Sequence, residues 1–336
     1  MLEATPLTRS VARFWHATRA LYGFLRAREV LGLPPMYLWL EPTNACNRHC
    51  EGCPTGAGQG RAQGYVTLDL VASVVEQARE YGAMIYFHLI GEPMLHPDLP
   101  RMIRMAHDAG LPTALFTHAT LLDRSRGKAL IDSGLDWLGF SFDGFERVTY
   151  EGIRKGDRYE AVLSNILGFL ELRRELGARG PYCYLTTVDP TASKLADLGS
   201  DWRLLETRLQ KAGLDRLERV APHAWADALA ADTRPTPARP SRCPAPWAGL
   251  AMLWNGTVVP CCLDLEGEMP VGDLKTQTIR EVWNGQPLRQ LRQAFAAGRW
   301  EDLPAPCRLC HVPRTRAICG VPIDTWAASE GLQPTG

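Results

Sequence analysis

The sequence lacks a net charge, a long apolar run and a recognisable export signal. Lysine plus arginine and aspartate plus glutamate number 37 each among 336 residues, so no net field favours nucleic acid as a partner. No apolar run approaches the roughly 20 residues that cross a membrane. The N-terminus does not combine a charged start with an apolar stretch, as a secretory signal does. These absences predict a cytoplasmic protein that does not bind nucleic acid.

Cysteine, in contrast, is abundant and unevenly placed. The ten cysteines are too clustered for a disulfide scaffold and too many for a chain without a metal. A chain of this length can bury a sizeable core, and it suggests one large domain of about 200 residues plus a smaller one. We therefore expect metal-binding chemistry in a reducing compartment.

The first cysteine group, Cys46, Cys50 and Cys53, has the spacing C-x3-C-x2-C and follows the apolar run Met36 to Leu40. Three thiolates in one tight loop can bind three irons of a four-iron cluster, which leaves the fourth iron open. A structural zinc site is the alternative, but it needs a fourth ligand, and His49 is poorly placed to supply one.

Residues 36–225 alternate apolar runs of strand length with stretches of helical periodicity. The predicted strands are Tyr37–Leu40, Met84–Ile90, Thr113–Phe116, Trp137–Phe142, Tyr182–Val188 and Leu217–Ala221. The predicted helices are Leu68–Tyr81, Leu99–Ala109, Leu121–Asp132, Tyr159–Leu176 and Ser193–Ala212. This alternation indicates an α/β fold with a parallel sheet and right-handed crossovers.

Five successive predicted strands end in polar groups. These ends are the cysteine loop, His88 to Pro93, Thr117-His118, Ser141 to Gly144 and Thr186 to Asp189. In barrels of alternating strands and helices, the chemistry gathers at the C-terminal ends of the strands. The five ends therefore predict one common active-site mouth.

A second cysteine group follows a predicted linker at residues 226–242. Asn255-Gly256 between two apolar runs predicts a hairpin with a type I′ turn, and Cys262 is expected to point away from Cys261 on an extended segment. An upstream loop thiol, a thiol at the base of the hairpin and a late C-x2-C pair together supply four ligands from three segments. Donor chemistry alone leaves both an iron-sulfur cluster and zinc open for this set.

The first cysteine motif resembles the signature of the radical S-adenosylmethionine (SAM) superfamily. The resemblance implies a partial (β/α)6 TIM-like barrel, a 4Fe-4S cluster, and SAM bound to its open iron. It also implies reductive cleavage of SAM to a 5′-deoxyadenosyl radical and an electron donor such as flavodoxin or ferredoxin. The positions that match the family's SAM-binding segments are Gly91, Glu92, Pro93, Ser141, Asp143 and Arg154.

Each matching position carries a specific expectation. The Glu92 carboxylate and its neighbouring backbone would contact the SAM amine. Ser141 and Asp143 would lie near the ribose or the carboxylate, and Arg154 would pair with the carboxylate unless it is a solvated surface charge. The chain departs from the family pattern at Gly52, where an aromatic residue often covers the adenine, so another apolar side chain must do so.

The second cysteine group resembles the auxiliary-cluster domain called SPASM, in its shortened form called twitch. The resemblance implies a small α+β domain over residues 243–336 that holds a second, auxiliary 4Fe-4S cluster. Its ligands would be four thiols of that group: Cys243, Cys261, Cys307 and Cys310. The resemblance leaves three cysteines unassigned. Cys183 is predicted to be a buried core thiol, while Cys319 could be a ligand, a hydrogen-atom donor or neither.

Residues 1–35 are predicted to form a helical extension that ends at Pro34-Pro35. Its helix has an apolar side and an arginine-rich side. We expect it to pack against the main domain; contact with an anionic membrane surface is the alternative.

The family resemblance suggests oxidation or epimerisation of a small polyhydroxylated substrate, such as a sugar or aminocyclitol, in natural-product biosynthesis. Oxidation needs a base, and three strand-end positions are candidates: His118, Asp189 and His223. His118 could equally be a structural histidine. The alternative functions are a peptide-modifying maturase and a non-catalytic metal-binding sensor.

Overall fold

The structure is a computed structural model, and it describes residues 18–57, 60–144, 146–156, 158–188, 200–220, 242–310, 317–318 and 321–322. Six parallel strands form the first part: β1 (Tyr37–Leu40), β2 (Met84–Tyr86), β3 (Thr113–Thr117), β4 (Trp137–Ser141), β5 (Tyr182–Val188) and β6 (Arg216–Val220). The helices of this part are α1 (residues 18–25), α2 (Pro54–Ala57), α3 (Leu68–Arg79), α4 (Leu99–Asp108), α5 (Arg124–Asp132), α6 (Arg147–Arg154), α7 (Tyr159–Glu175) and α8 (Ser200–Ala212).

The C-terminal part contains shorter elements. Its strands are β7 (Gly249–Met252), β8 (Thr257–Val259), β9 (Gly272–Asp273), β10 (Ala317–Ile318) and β11 (Val321–Pro322). Its helices are α9 (Ala245–Ala248), α10 (Ile279–Trp283), α11 (Gln286–Ala296) and α12 (Ala305–Leu309). Within the described ranges, no helix is long and apolar enough to span a bilayer.

One sheet runs through both parts of the chain. Its strand order is β6-β5-β4-β3-β2-β1-β7-β8-β9. The strands from β1 to β6 pair in parallel, as the alternating pattern predicts. Strand β7 also pairs in parallel with β1, and β8 and β9 follow antiparallel. The α/β prediction is therefore confirmed, and the C-terminal hairpin extends the barrel sheet directly beside the strand that leads into the cysteine loop.

Local sequence signals explain why the helices form where they do. Thr67 precedes α3, and its side chain accepts a hydrogen bond from the Leu70 amide at 3.3 Å, which satisfies one of the free N–H groups at the helix start. Helix α3 buries one apolar face against the sheet: Val71, Val74, Val75 and Ala78. Thr278 and Glu281 form a reciprocal capping box at the start of α10.

Three local predictions are wrong. Strand β2 ends at Tyr86, because residues 87–90 leave the strand to form the active-site loop. The hairpin turn is not type I′: Asn255 has a negative φ, and only Gly256 is left-handed at φ +91°, as in a type I turn followed by a bulge. The N-terminal helix ends at residue 25 instead of at Pro34-Pro35, with Ala27 in a left-handed conformation at φ +51°.

The N-terminal segment packs against the C-terminal part of the chain. Phe24 is buried and contacts Trp247 edge to face, with 5.6 Å between ring centroids. The Asn284 side chain accepts a hydrogen bond from the Leu31 amide at 2.9 Å and donates to the Leu31 carbonyl at 3.0 Å. The Trp283 indole donates to the Leu33 carbonyl at 2.7 Å. This half of the extension therefore has a packing role.

Candidate active site

The cysteine loop begins in a buried hydrogen-bond network. The Thr43 hydroxyl donates to the Gly64 carbonyl at 2.7 Å. The side-chain amide of Asn44 donates from Nδ2 to the Ala62 carbonyl at 3.0 Å, and its Oδ1 accepts from the Gly64 backbone amide at 3.0 Å. Residues 62–65 thus lie along the start of the loop like an added strand, with an isolated bridge between Thr43 and Tyr65. The side chains of Thr43 and Asn44 thus fix the start of the loop to backbone groups about 20 residues further along the chain.

A buried ion pair joins this region to the C-terminal hairpin. Both carboxylate oxygens of Glu41 accept from the Arg61 guanidinium, at 2.7 and 3.1 Å, and Glu41 is fully buried. The same carboxylate accepts from the Trp254 amide at 2.9 Å, and Arg61 also donates to the Leu265 carbonyl at 2.8 Å. Burial raises the pKa of Glu41, although Arg61 opposes that shift.

The three thiols of the cysteine loop interact with one another. Burial, followed by the nearby Glu92, Cys50 and Cys53, raises the pKa of Cys46 to about 12. Arg154 Nη1 lies 3.8 Å from the Cys50 sulfur. Three thiolates so close together need a metal to stay ionised. The residues therefore fit a cluster that supplies several positive charges.

The Gly-Glu-Pro segment lies directly on the cysteine loop. Gly91 has φ +84°, and a Cβ at this position would lie 2.6 Å from the Thr43 carbonyl oxygen and 2.7 Å from that of Ala45. The Glu92 amide donates to the same Ala45 carbonyl at 2.9 Å. Only glycine combines this backbone conformation with so close an approach.

The Glu92 carboxylate is occupied by neighbouring groups. One oxygen accepts from the Thr117 hydroxyl at 2.7 Å and from the Met94 amide at 3.0 Å. The other accepts from the His118 amide at 3.1 Å and lies 3.2 Å from His118 Nε2. Glu92 is 1% exposed. This arrangement favours a positioning role for the carboxylate over the predicted contact with the SAM amine.

His118 is also satisfied on both ring nitrogens. Nδ1 accepts from the Thr120 amide at 3.2 Å, which leaves the proton on Nε2. Nε2 lies 3.0 Å from the Asn47 side-chain oxygen and 3.2 Å from Glu92. The ring thus connects the cysteine loop to the Gly-Glu-Pro segment. These hydrogen bonds favour the structural alternative for His118, and its role as a catalytic base stays a prediction.

Ser141, Asp143 and Arg154 come together at the end of β4, as predicted from the strand ends. Arg154 Nη2 donates to the Ser141 carbonyl at 3.1 Å and lies 2.5 Å from the Asp143 carboxylate. Burial lowers the pKa of Arg154, but the nearby Asp143 and Cys50 outweigh it and the net shift is upward. Arg154 is 8% exposed, so it is not a solvated surface charge.

These groups surround one cavity of about 440 Å³. All three cysteines of the loop line it, together with the ends of four strands: His88 and Gly91 after β2, Thr117 and His118 at β3, Ser141 and Asp143 at β4, and Thr186 on β5. Gly52 also lines it, and Ile153 and Leu265 are apolar side chains in the same wall. The sequence placed His88 at a predicted strand end, but it was not among the candidate site residues. Its place in the cavity wall depends on where β2 ends.

The C-terminal thiols also gather, and they include one more than predicted. Cys243 is buried and Cys261 is half-buried; desolvation raises the pKa of both well above the ordinary value, and the other thiols of the group raise them further. Burial and then Cys310 raise the pKa of Cys262 to about 11. The expected alternation fails because the chain turns here, with the Asp264 amide donating to the Cys261 carbonyl at 3.4 Å.

In the part of the chain that the structure describes, no three cysteine, histidine or acidic side chains converge on the centre of a single ion. A four-iron cluster binds one thiolate at each iron, so its ligands lie farther apart than those of one zinc ion. Cys183 is fully buried in β5. Asp189, His223 and Cys319 lie outside the described residues, as does nearly all of the predicted linker.

Comparison with known proteins agrees with both cysteine groups. The radical SAM superfamily model matches residues 40–188, and the SPASM model of an iron-sulfur cluster-binding domain matches residues 243–311. The PqqA peptide cyclase of Gluconobacter oxydans is 26% identical over 83% of each chain. The AdoMet-dependent heme synthase of Methanosarcina barkeri is 25% identical over 85% of this chain and 91% of that protein.

Among solved structures, BtrN in complex with AdoMet and 2-DOIA aligns with a TM-score of 0.54 and 17% identity, over 81% of this chain and 91% of BtrN. At this identity the alignment supports the fold alone. The fold and the two thiol groups define an enzyme that uses iron-sulfur clusters and SAM. The chain belongs to the radical SAM superfamily and has a C-terminal SPASM domain.

Proposed function

We propose that this radical SAM enzyme oxidises or epimerises a small polyhydroxylated molecule of the sugar or aminocyclitol type. The observation that carries the proposal is the cavity, a single compartment of about 440 Å³. It has polar strand ends around its mouth and the aromatic ring of Phe116 in its wall. Aromatic surface with a few placed polar groups suits small ligands that offer both C–H faces and hydroxyls.

The cofactor supplies the radical chemistry: when SAM is bound and reductively cleaved, it provides a 5′-deoxyadenosyl radical that abstracts hydrogen from the substrate. The chain holds the groups for this step. Cys46, Cys50 and Cys53 would bind the cluster, and Gly91 lets the Gly-Glu-Pro segment lie directly against the cysteine loop. Arg154 places a fixed positive charge beside the Cys50 sulfur, with Asp143 as its counter-ion.

The C-terminal thiols favour oxidation over a redox-neutral outcome. Conversion of a secondary alcohol to a ketone removes one hydrogen atom, one proton and one electron from the substrate. Abstraction by the radical accounts for the hydrogen atom, and a base or water takes the proton. The electron needs an acceptor, which the cluster on Cys243, Cys261, Cys307 and Cys310 would provide.

The test is anaerobic incubation of the reconstituted enzyme with SAM, a reductant and a panel of myo-inositol, scyllo-inosamine and glucosamine. We expect one of these molecules to lose two mass units, or to change configuration without a mass change. Formation of 5′-deoxyadenosine should accompany that product and should be absent from the Cys50→Ala variant. If none of these products forms although SAM is cleaved, the polyol proposal is wrong.

A second candidate is modification of a peptide. The observation in its favour is the similarity to PqqA peptide cyclase over 83% of each chain. An enzyme of this kind would form a crosslink or lose two mass units on a peptide and leave every polyol unchanged. Tandem mass spectrometry of a peptide panel incubated under the same conditions separates the two functions.

A further inference from the structure

His88 stands at the floor of the cavity, held between two aromatic rings. Its ring meets Tyr86 edge to face, with 5.6 Å between centroids and 88° between planes. It meets Phe116 at 4.9 Å and 72°. His88 and Phe116 line the cavity directly. The imidazole therefore packs edge-on against both aromatic rings.

Aromatic side chains close the barrel beneath these two residues. Trp39 stacks on Tyr86 at 4.9 Å with a 12° interplanar angle, and Tyr184 meets Phe116 edge to face at 5.0 Å. Gly139 makes room for the Phe116 ring, since a Cβ there would lie 2.5 Å from it. Phe116 and His88 thus present their rings to the cavity.

The hydrogen bonding of His88 is incomplete. Its Nδ1 atom is buried and has no partner among the described residues, whereas the other buried histidines of the site region are paired: His118 on both nitrogens, and His96 through Val66 and Asp98. Burial lowers the pKa of His88 to about 3, so the ring is neutral at physiological pH. An unpaired buried polar atom lowers the stability of the folded protein. Packing alone would be served better by phenylalanine.

We propose that the His88 imidazole is a substrate-positioning residue that accepts a hydrogen bond from a hydroxyl of a polyhydroxylated ring, while a C–H face of that ring rests on Phe116. The inference rests on the proposed function and deepens it by naming the substrate contact. Nδ1 lies behind the cavity wall, and a ligand reaches it when the ring turns about its two-fold Cβ–Cγ torsion. A neutral acceptor of this kind orients the hydroxyl and does not need to remove its proton.

The first test compares two histidines by the same substitution. His88→Phe keeps an aromatic ring between Tyr86 and Phe116 and removes both ring nitrogens, of which Nδ1 has no partner among the described residues, so its melting temperature should equal or exceed that of the wild type. His96→Phe removes a paired ring and leaves the Val66 carbonyl without its partner, so it should melt lower. If His88→Phe loses as much stability as His96→Phe, His88 is a structural residue and the proposal is wrong.

The second test uses the polyol that the wild type converts. His88→Phe should raise the KM for that polyol about tenfold or more, the effect expected for about 1.4 kcal/mol of binding, and His88→Asn should recover part of it through its side-chain oxygen. The SAM dissociation constant, measured by titration, should stay within about twofold of the wild-type value. An unchanged KM would overturn the substrate contact, and a large loss of SAM affinity would reassign His88 to the SAM site.

These outcomes are distinguishable from failure of the proposed function. Polyol turnover by the wild type decides whether the function is correct. The comparison of His88→Phe with the wild type decides whether His88 contacts the substrate. If no polyol is converted, the proposed function is wrong; if a polyol is converted but His88→Phe leaves its KM unchanged, only the His88 contact is wrong.

Discussion

Substitution of Gly91 by alanine should destabilise the protein by more than backbone strain alone would, because the added Cβ clashes with the cysteine loop. Gly91 has φ +84°, and a Cβ would lie 2.6–2.8 Å from three backbone atoms of residues 43–45. A left-handed conformation costs a non-glycine residue about 1–2 kcal/mol. A clash with backbone that cannot move freely adds about 1–3 kcal/mol. We therefore expect Gly91→Ala to destabilise the protein by about 3 kcal/mol.

Gly82 provides a matched control. It has φ +71°, close to that of Gly91, but no atom lies within 4 Å of its Cβ position. Gly82→Ala should therefore cost only the conformational strain, about 1 kcal/mol. The difference of about 2 kcal/mol corresponds to a melting temperature about 4–8 °C lower for Gly91→Ala than for Gly82→Ala in a domain of this size.

The assay is thermal unfolding of both variants and the wild type under anaerobic conditions, with iron content measured on the same samples. Displacement of the loop should lower the iron of Gly91→Ala by about four per chain, the content of one cluster, and leave that of Gly82→Ala unchanged. If the two variants melt together and hold the same iron, the Gly-Glu-Pro segment does not hold the cysteine loop in the way described.

Two further substitutions test the contacts that join the parts of the chain. Glu41→Gln leaves the Arg61 guanidinium buried without its counter-charge and should lower the free energy of unfolding by about 3 kcal/mol. The control Lys128→Gln breaks an exposed ion pair and should lower it by less than about 1 kcal/mol. Equal effects of the two substitutions in denaturant titrations would contradict the role of the buried pair. Asn284→Ala removes both hydrogen bonds to Leu31 and should lower the free energy of unfolding by about 1–3 kcal/mol. Proteolytic cleavage of the N-terminal segment should therefore become faster. An unchanged cleavage rate would show that the packing of this segment does not depend on the two hydrogen bonds.

Local patterns in the sequence predict most of the barrel. Strand β1 and strand β5 have the predicted bounds, because apolar runs between turn residues mark short buried strands well. The strand-end rule also placed Ser141, Asp143 and the cysteine loop at one mouth. Spacing alone predicts the first thiol group, whose three cysteines lie within eight residues. The second group draws on three separate segments, and its ligand set was implied by the resemblance to the SPASM domain.

Contacts between distant residues are what the sequence could not indicate. The pairing of Glu41 with Arg61, and of β7 with β1, depends on the fold as a whole. Glu92 and His118 illustrate the same point. Each is a polar residue at a strand end, and only the structure reveals that the Glu92 carboxylate accepts from the His118 amide and lies beside its ring. Conversely, Nδ1 of His88 has no hydrogen-bond partner among the described residues. No local sequence pattern can reveal this.

The most direct test of the account is the iron and sulfide content after anaerobic reconstitution, combined with SAM cleavage. The wild type should hold about eight irons per chain, and the Cys46/Cys50/Cys53 triple alanine variant about four, with no 5′-deoxyadenosine formed. Cys307→Ala should also lose about four irons but should retain some SAM cleavage. Formation of 5′-deoxyadenosine by the triple variant, or a wild type with about four irons and bound zinc, would contradict the two-cluster radical mechanism.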